Sequence, residues 1–283
     1  MDYFWKEEEF ITGDNLESLG DYIFDVENYI TGDHGRIKTD KTEQQLIAEQ
    51  IVTINEKKPN IIYCYGHDTL KLLNNIDNID YKFKLLTHNS DLGILPEYQR
   101  FIENEKIIKW FGQNNYLHHS KATSVPIGIA RQKYPHGNTK LLSEISKNNN
   151  QKINLVYKNF SINTNFNDRA LVNNITNSNG IYMNSNCDQY EYLANISKSV
   201  FVISPPGNGI DCHRIWECLY LNTIPIVKYH YTLEQFKDLP ILFVDDWNTV
   251  TPKWLISKSD LLNKFDKKFD KLHYNFWKNI ILK

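Results

Sequence analysis

The stretch Ser199-Val200-Phe201-Val202-Ile203-Ser204-Pro205-Pro206-Gly207-Asn208-Gly209-Ile210-Asp211-Cys212-His213-Arg214-Ile215-Trp216-Glu217-Cys218-Leu219 decides the fold. Val200–Ile203 is a continuous apolar run of the kind buried in parallel sheets. Ser204-Pro205-Pro206 stops it, since proline cannot donate to a ladder. Gly207 and Gly209 permit a sharp turn and a close backbone approach to a ligand. Asp211 reads as the N-cap of a helix running to about Leu221. A glycine loop leading into a helix N-terminus offers free N–H groups and a positive dipole end, which suits a diphosphate.

Strands and helices alternate on both sides of this stretch. Upstream lie a strand at Ile153–Tyr157, a helix at Asn167–Asn177, a short strand at Gly180–Met183 and a helix at Gln189–Ser197. Downstream come a strand at Ile224–Lys228, a helix near Leu233–Lys237 and a strand at Ile241–Val244. The alternation implies right-handed βαβ units and a doubly wound parallel sheet. A weaker version precedes it: a helix at Thr42–Asn55, strands at Asn60–Tyr65, Lys82–Thr87, Lys106–Phe111 and Thr123–Ile127, and a helix at Glu97–Glu103. The hydrophilic segment Gln132–Gln151, ending in Asn148-Asn149-Asn150, is the expected boundary. The expectation is therefore an α/β protein with an N-terminal domain over 1–135 and a C-terminal domain over 150–258. A final helical segment over 259–283, with Leu262, Phe265, Phe269, Leu272 and Phe276 as its apolar stripe, would cross back to the N-terminal domain. A cleft between two such domains, at the carboxyl ends of parallel strands, is where small-molecule sites concentrate.

Bulk properties bound the function. A chain of 283 residues with 41% hydrophobic and 23% charged residues has the composition of a folded two-domain protein. The net charge of −2 argues against a duplex nucleic-acid binder. Cys64, Cys187, Cys212 and Cys218 lack a CxxC spacing and read as free thiols in a reducing compartment. No apolar run approaches the roughly 18 residues of a membrane span, and the N-terminus does not read as a signal peptide. A cytoplasmic location is expected.

On the helix after the loop, Asp211, Arg214 and Glu217 stand at i, i+3 and i+6. Arg214 can fork onto phosphate oxygens, and Glu217 can accept ribose hydroxyls. The alternative is an N-capped helix with a surface Arg–Glu pair. Ser204–Val227, reading SPPGNGIDCHRIWECLYLNTIPIV, resembles the donor-site signature of exostosin-like glycosyltransferases, related to glycosyltransferase family 47. Thr87-His88-Asn89-Ser90-Asp91 is similar to that family in order and spacing, as are Trp110–Asn114 running on to Val125–Ile129, and Asn159–Asn165 with Arg169. The resemblance implies a GT-B fold of two Rossmann-like domains facing across a cleft, a nucleotide-sugar donor and an inverting transfer to a glycan or other hydroxyl acceptor. It implies donor contacts at Ser204, Gly207, Asn208, Gly209, Arg214 and Glu217, with Asn159, Ser161, Thr164 and Arg169 on the opposite wall. Asn222 stands where many relatives have glycine, and asparagine also tolerates the left-handed conformation.

An inverting transfer needs a base for the acceptor hydroxyl and a stabiliser for the departing diphosphate. Asp91 is the first candidate base, with an Asx-turn role as its alternative. His88 is the second, with His67-Asp68 behind it; His118-His119 and His213 read as ordinary surface or supporting histidines. The loop, helix N-terminus and Arg214 suffice for the diphosphate without a metal, and Asp245-Asp246 reads as a strand-end turn. No cofactor beyond the nucleotide sugar is expected. The alternatives are another GT-B-like nucleotide-sugar enzyme, such as an epimerase or phosphorylase, and a non-catalytic nucleotide- or glycan-binding protein.

Overall fold

A computed structural model describes residues 4–148, 151–184, 186–266 and 268–283. Asn149 and Asn150 of the expected boundary lie outside them. The chain divides into two compact units: Gly13–Pro126 with Ile280–Lys283, and the residues up to Thr12 with Ile127–Asn279. The division thus falls at Pro126–Ile127 rather than within 132–151. The polar 132–147 segment belongs wholly to the second unit, because α6 (Thr139–Lys147) turns Leu142 and Ile145 into its interior.

The first unit carries β1 (Tyr22–Phe24), β2 (Ile61–Tyr65), β3 (Phe83–His88), β4 (Ile107–Gly112) and β5 (Ala122–Ser124), all parallel and paired in chain order. Its longest helix, Glu43–Lys57, starts on a capping box. Thr42 Oγ1 accepts from Gln45 N, and the Gln45 side chain returns to Thr42 N. Leu46, Ile51 and Ile54 of this helix join Phe24, Ile62, Leu85 and Trp110 in the core. The three-residue β1 was not anticipated, being too short to show alternation.

The second unit carries β6 (Asn154–Tyr157), β7 (Ser199–Ile203), β8 (Ile224–Lys228) and β9 (Leu242–Val244), again parallel and in chain order. Its helices include α7 (Phe166–Ser178), α8 (Gln189–Ser197) and α9 (His213–Tyr220). The class is α/β, with two Rossmann-like parallel-sheet units. Neither sheet shows the strand-order reversal of a doubly wound sheet among the described strands, so a topological switch point does not position the site.

Three further expectations are corrected. Residues 180–183 are not a strand; the segment meets Lys158, just after β6, where Asn184 N donates to Lys158 O at 2.8 Å and Lys158 Nζ donates to Ile181 O at 2.9 Å. The segment after 258 is not one helix. It breaks into 3-10 turns at Ser259–Asp266 and Asp270–Leu272 before α11 (Tyr274–Leu282). The Leu233 region is likewise a 3-10 helix, Tyr231–Phe236. Among the described residues, no helix is long and apolar enough to cross a membrane, and all four cysteines are free.

The ends of the second unit meet at one phenol. Tyr220 OH accepts from Ile11 N at 3.0 Å and donates to Leu272 O at 2.9 Å. Its ring packs edge-on against Trp5 and Phe10, at 4.8 and 4.7 Å between centroids.

Candidate anion site at the ends of β6 and β7

The loop after β7 is fastened before it is free to bind anything. Ser204 is buried, its N–H donates to Ile226 O at 3.0 Å and its hydroxyl to Val202 O at 3.3 Å, so the side chain expected on a donor ties the loop to the sheet. Gly207 N donates to Gly209 O, and neither glycine has a positive φ. Gly207 serves close approach instead: a Cβ there would stand 3.2 Å from Arg169 Nη2. Asn208 is exposed.

Asp211 is not the N-cap. That position falls to Cys212, with extended φ −134° and ψ 153°. Asp211 is buried, and its two oxygens accept from Ile127 N and Trp216 Nε1, both at 2.8 Å. Burial pushes its carboxyl up to about 7, against the pull of these two hydrogen bonds. His213 Nδ1 lies 2.7 Å from Gly128 O. The start of α9 is therefore tied to the chain just beyond Pro126. At the other end of α9, Asn222 takes φ 51°, the left-handed turn expected of it.

The loop after β6 supplies the facing wall. Asn165 caps α7 through Asp168 N and donates from Nδ2 to Gly207 O at 2.9 Å, joining the two loops. Arg169, buried, donates from Nε to Pro206 O at 2.9 Å and from Nη1 to Ser161 O at 2.7 Å. Ser161 and Thr164 are exposed beside it. Asn159 turns its amide to Tyr157 OH (2.9 Å) and Cys187 Sγ (3.4 Å).

Two guanidinium groups converge here. Arg169 lies 5.7 Å and Arg214 6.0 Å from the centroid of the one ring of Phe160. Burial, and then the charge of Arg214, hold Arg169 below the usual arginine range. Neither arginine forms an ion pair among the described residues. Arg214 donates from Nε to Tyr192 OH at 3.0 Å, and that hydroxyl donates to Glu217 Oε2 at 2.9 Å. The expected Arg–Glu pair is thus a relay through a tyrosine. Glu217 is buried, and burial raises its carboxyl pKa against the pull of Arg214. Two like charges of low solvation face one aromatic ring and form a site that an anion would complete: among the described residues, Arg214 leaves both outer nitrogens unbonded and Arg169 leaves Nη2 so. A cavity of about 220 Å³ opens beside it, lined by Asp168, Leu171, Pro206, Ile210, His230 and Trp247.

The candidate bases lie in the first unit, beyond β3. Asp91 is exposed. The loop that carries it is held by Gln113 Nε2 donating to Ser90 O, and by Gly66, where a Cβ would come 2.6 Å from Ser90 Cβ. His88 is buried, with Nδ1 facing Asn89 Oδ1 and Nε2 facing Pro126 O, each at 3.1 Å. Both ring nitrogens are engaged, so His88 fits a supporting part rather than that of a base. Asp246 accepts from Asn248 N and Nδ2, a turn cap as expected. Glu27, His67 and Asp68 are close enough together to hold a metal, yet both Asp68 oxygens already accept, from Val26 N, Glu27 N and Lys71 Nζ. That occupancy does not suit a ligand. Phe160 and Tyr192 were missed as site residues: nothing in one sequence separates them from core aromatics.

No family model matches the chain, and no curated protein does. Among solved structures it is similar to OtsA in its apo form (10% identity over 92% of this chain and 81% of that one, TM-score 0.48). It is also similar to the UDP-GlcNAc 2-epimerase of Methanocaldococcus jannaschii (11%, 86% and 82%, TM-score 0.40). A third is the glycosyltransferase SsfS6 of Streptomyces sp. SF2575 (9%, 78% and 70%, TM-score 0.37).

Proposed function

We propose that the second unit binds a nucleoside diphosphate sugar and that the protein is an exostosin-like, inverting glycosyltransferase of the GT-B type. The observation that carries the reading is the pair Arg169 and Arg214 over Phe160, with no carboxylate paired to either among the described residues. Guanidinium groups fork onto phosphate oxygens, and two of them match the charge of a diphosphate. In the departing diphosphate, negative charge grows in the transition state, so preorganised cations here lower the barrier without a metal. Glu217 would accept from the ribose hydroxyls, and the cavity beside Pro206 would take a ring of the donor. Gly207, Asn208 and Gly209 would approach the phosphates with their backbone, and Ser161 and Thr164 would border them. Asp91, exposed beyond β3, is the proposed base for the hydroxyl of a glycan or similar acceptor.

The test is calorimetric titration with a panel of nucleoside diphosphates, in EDTA. Parental protein should bind at least one, and Arg169→Ala and Arg214→Ala should each lose about 1.5–3 kcal/mol, the worth of a hydrogen bond to a charged group. Equal affinity in all three proteins overturns the anion site. Release of nucleoside diphosphate from a nucleotide sugar only when acceptor is added then supports transfer. Tight binding without such release leaves a binding protein.

A further inference from the structure

Residues at i and i+3 on a helix meet readily, and an arginine beside a glutamate there ordinarily closes into a pair. Arg214 and Glu217 do not. The Tyr192 hydroxyl stands between them, accepting from Arg214 Nε and donating to Glu217 Oε2. Tyr192 comes from α8, a different element, and its ring lies under the Arg214 guanidinium, 5.9 Å from centroid to carbon. A second tyrosine, Tyr157 on β6, packs 6.3 Å from it. Among the described residues, Nε is the only nitrogen of Arg214 with a hydrogen bond.

We propose that Tyr192 is a positioning residue of the anion site: its hydroxyl separates Arg214 from Glu217 and so keeps the outer guanidinium nitrogens open to a diphosphate. The inference rests on the anion-site reading given above. Its physical basis is competition. A buried carboxylate next to a partly buried guanidinium is the strongest acceptor within reach, and a direct fork between them would consume the nitrogens a ligand needs. The phenol satisfies the carboxylate through a donor of its own and engages the guanidinium at Nε, its inner nitrogen. Removing the hydroxyl frees Glu217 Oε2 to take the guanidinium, and a ligand must then break that pair first.

Inorganic pyrophosphate is the probe, because it lacks a ribose and so does not need Glu217. Titrations compare the parent with Tyr192→Phe, Glu217→Gln, the Tyr192→Phe/Glu217→Gln double variant, Arg169→Ala and Arg214→Ala. Tyr192→Phe should bind about tenfold more weakly, while Glu217→Gln binds at least as tightly as the parent. The double variant should return toward parental affinity, since a neutral amide accepts from the guanidinium far more weakly than a carboxylate; such rescue is a coupling that lost packing alone would not produce. Parental affinity in Tyr192→Phe, or a double variant as weak as Tyr192→Phe, overturns the proposal while the two arginine variants still uphold the anion site. If the arginine variants also bind like the parent, the anion site itself falls. Melting without ligand accompanies each titration, and all the titrations are repeated at a lower temperature if Tyr192→Phe melts below that of the assay.

Discussion

Replacing Lys158 with methionine should destabilise the second unit by about 3 kcal/mol. Lys158 follows β6 and is fully buried, with no carboxylate near its ammonium among its hydrogen-bond partners. Nζ donates instead to four oxygens: Asn173 O at 3.2 Å, Thr176 Oγ1 at 2.7 Å, Asn177 Oδ1 at 2.7 Å and Ile181 O at 2.9 Å. Three of these belong to the last turns of α7, where unpaired carbonyls and the negative dipole end favour a cation. The contacts to Thr176 and Ile181 are fully buried, and each acceptor left unsatisfied costs about 1–3 kcal/mol. The other two are partly open, so water can replace the ammonium there. Methionine has nearly the same length and recovers the desolvation of the charge, which offsets part of the loss. In a unit of this size, 3 kcal/mol corresponds to roughly 6–12 °C in melting temperature. Tryptophan fluorescence in a urea titration is the assay, because Trp5, Trp216, Trp247, Trp254 and Trp277 belong to the second unit and Trp110 alone to the first. A midpoint within about 0.5 kcal/mol of the parent would show that the lysine does not anchor α7 to the sheet.

Other perturbations probe the site more directly. Asp211 has a folded-state pKa raised to about 7, above that of an unfolded aspartate, so the folded state holds the extra proton between about 4 and 7. Stability should therefore fall as pH rises through that window, by up to roughly 4 kcal/mol, and Asp211→Asn should flatten the slope in urea titrations across pH. A parental slope in Asp211→Asn would assign the effect elsewhere. Gly207→Ala should melt close to the parent, since the one tight contact of its Cβ is with Arg169 Nη2 at 3.2 Å, but bind nucleoside diphosphate about tenfold more weakly as that guanidinium is displaced. Undiminished affinity would place the ligand away from this loop. Asp91→Asn should keep donor affinity and lower turnover about 10²–10⁴-fold, the usual worth of a general base, in a steady-state transfer assay. Turnover at the parental rate would remove Asp91 from that role.

The alternation of apolar runs made most elements legible. α8 matches its expected span, and α7 differs from its own by one residue at each end, because local periodicity and caps determine such helices. The failures share a cause. Asp211 had the chemistry of an N-cap, but its oxygens answer to Ile127 N, 84 residues away, and to a tryptophan inside the helix it was expected to cap. Residues 180–183 had the composition of a strand, but Ile181 bonds back to Thr176 of α7 and to the Lys158 ammonium instead of forming a ladder along β6. In the candidate site, Arg214 carried a readable signal through its place beside a glycine loop, whereas Arg169 was reached only through the resemblance to exostosin-like glycosyltransferases. Tyr192 carried none, since its part depends on where α8 lies against α9 and not on anything local to Tyr190-Glu191-Tyr192.

The meeting of Trp5, Phe10 and Tyr220 has a consequence for how the chain comes into being. Residues 13–126 can collapse as soon as they leave the ribosome, because their partners are nearly all among themselves. Trp5 and Phe10 emerge earlier still, yet the surfaces that shelter them, Tyr220 and His273, are synthesised more than 200 residues later. At about 5–20 residues per second, that leaves an apolar segment exposed for roughly ten seconds to most of a minute. The acidic run Glu7-Glu8-Glu9 lies between the two aromatics and keeps that waiting segment charged. Charge of this kind beside exposed aromatics hinders premature association, so Glu7 to Glu9 would guard the nascent chain as well as serve the finished fold.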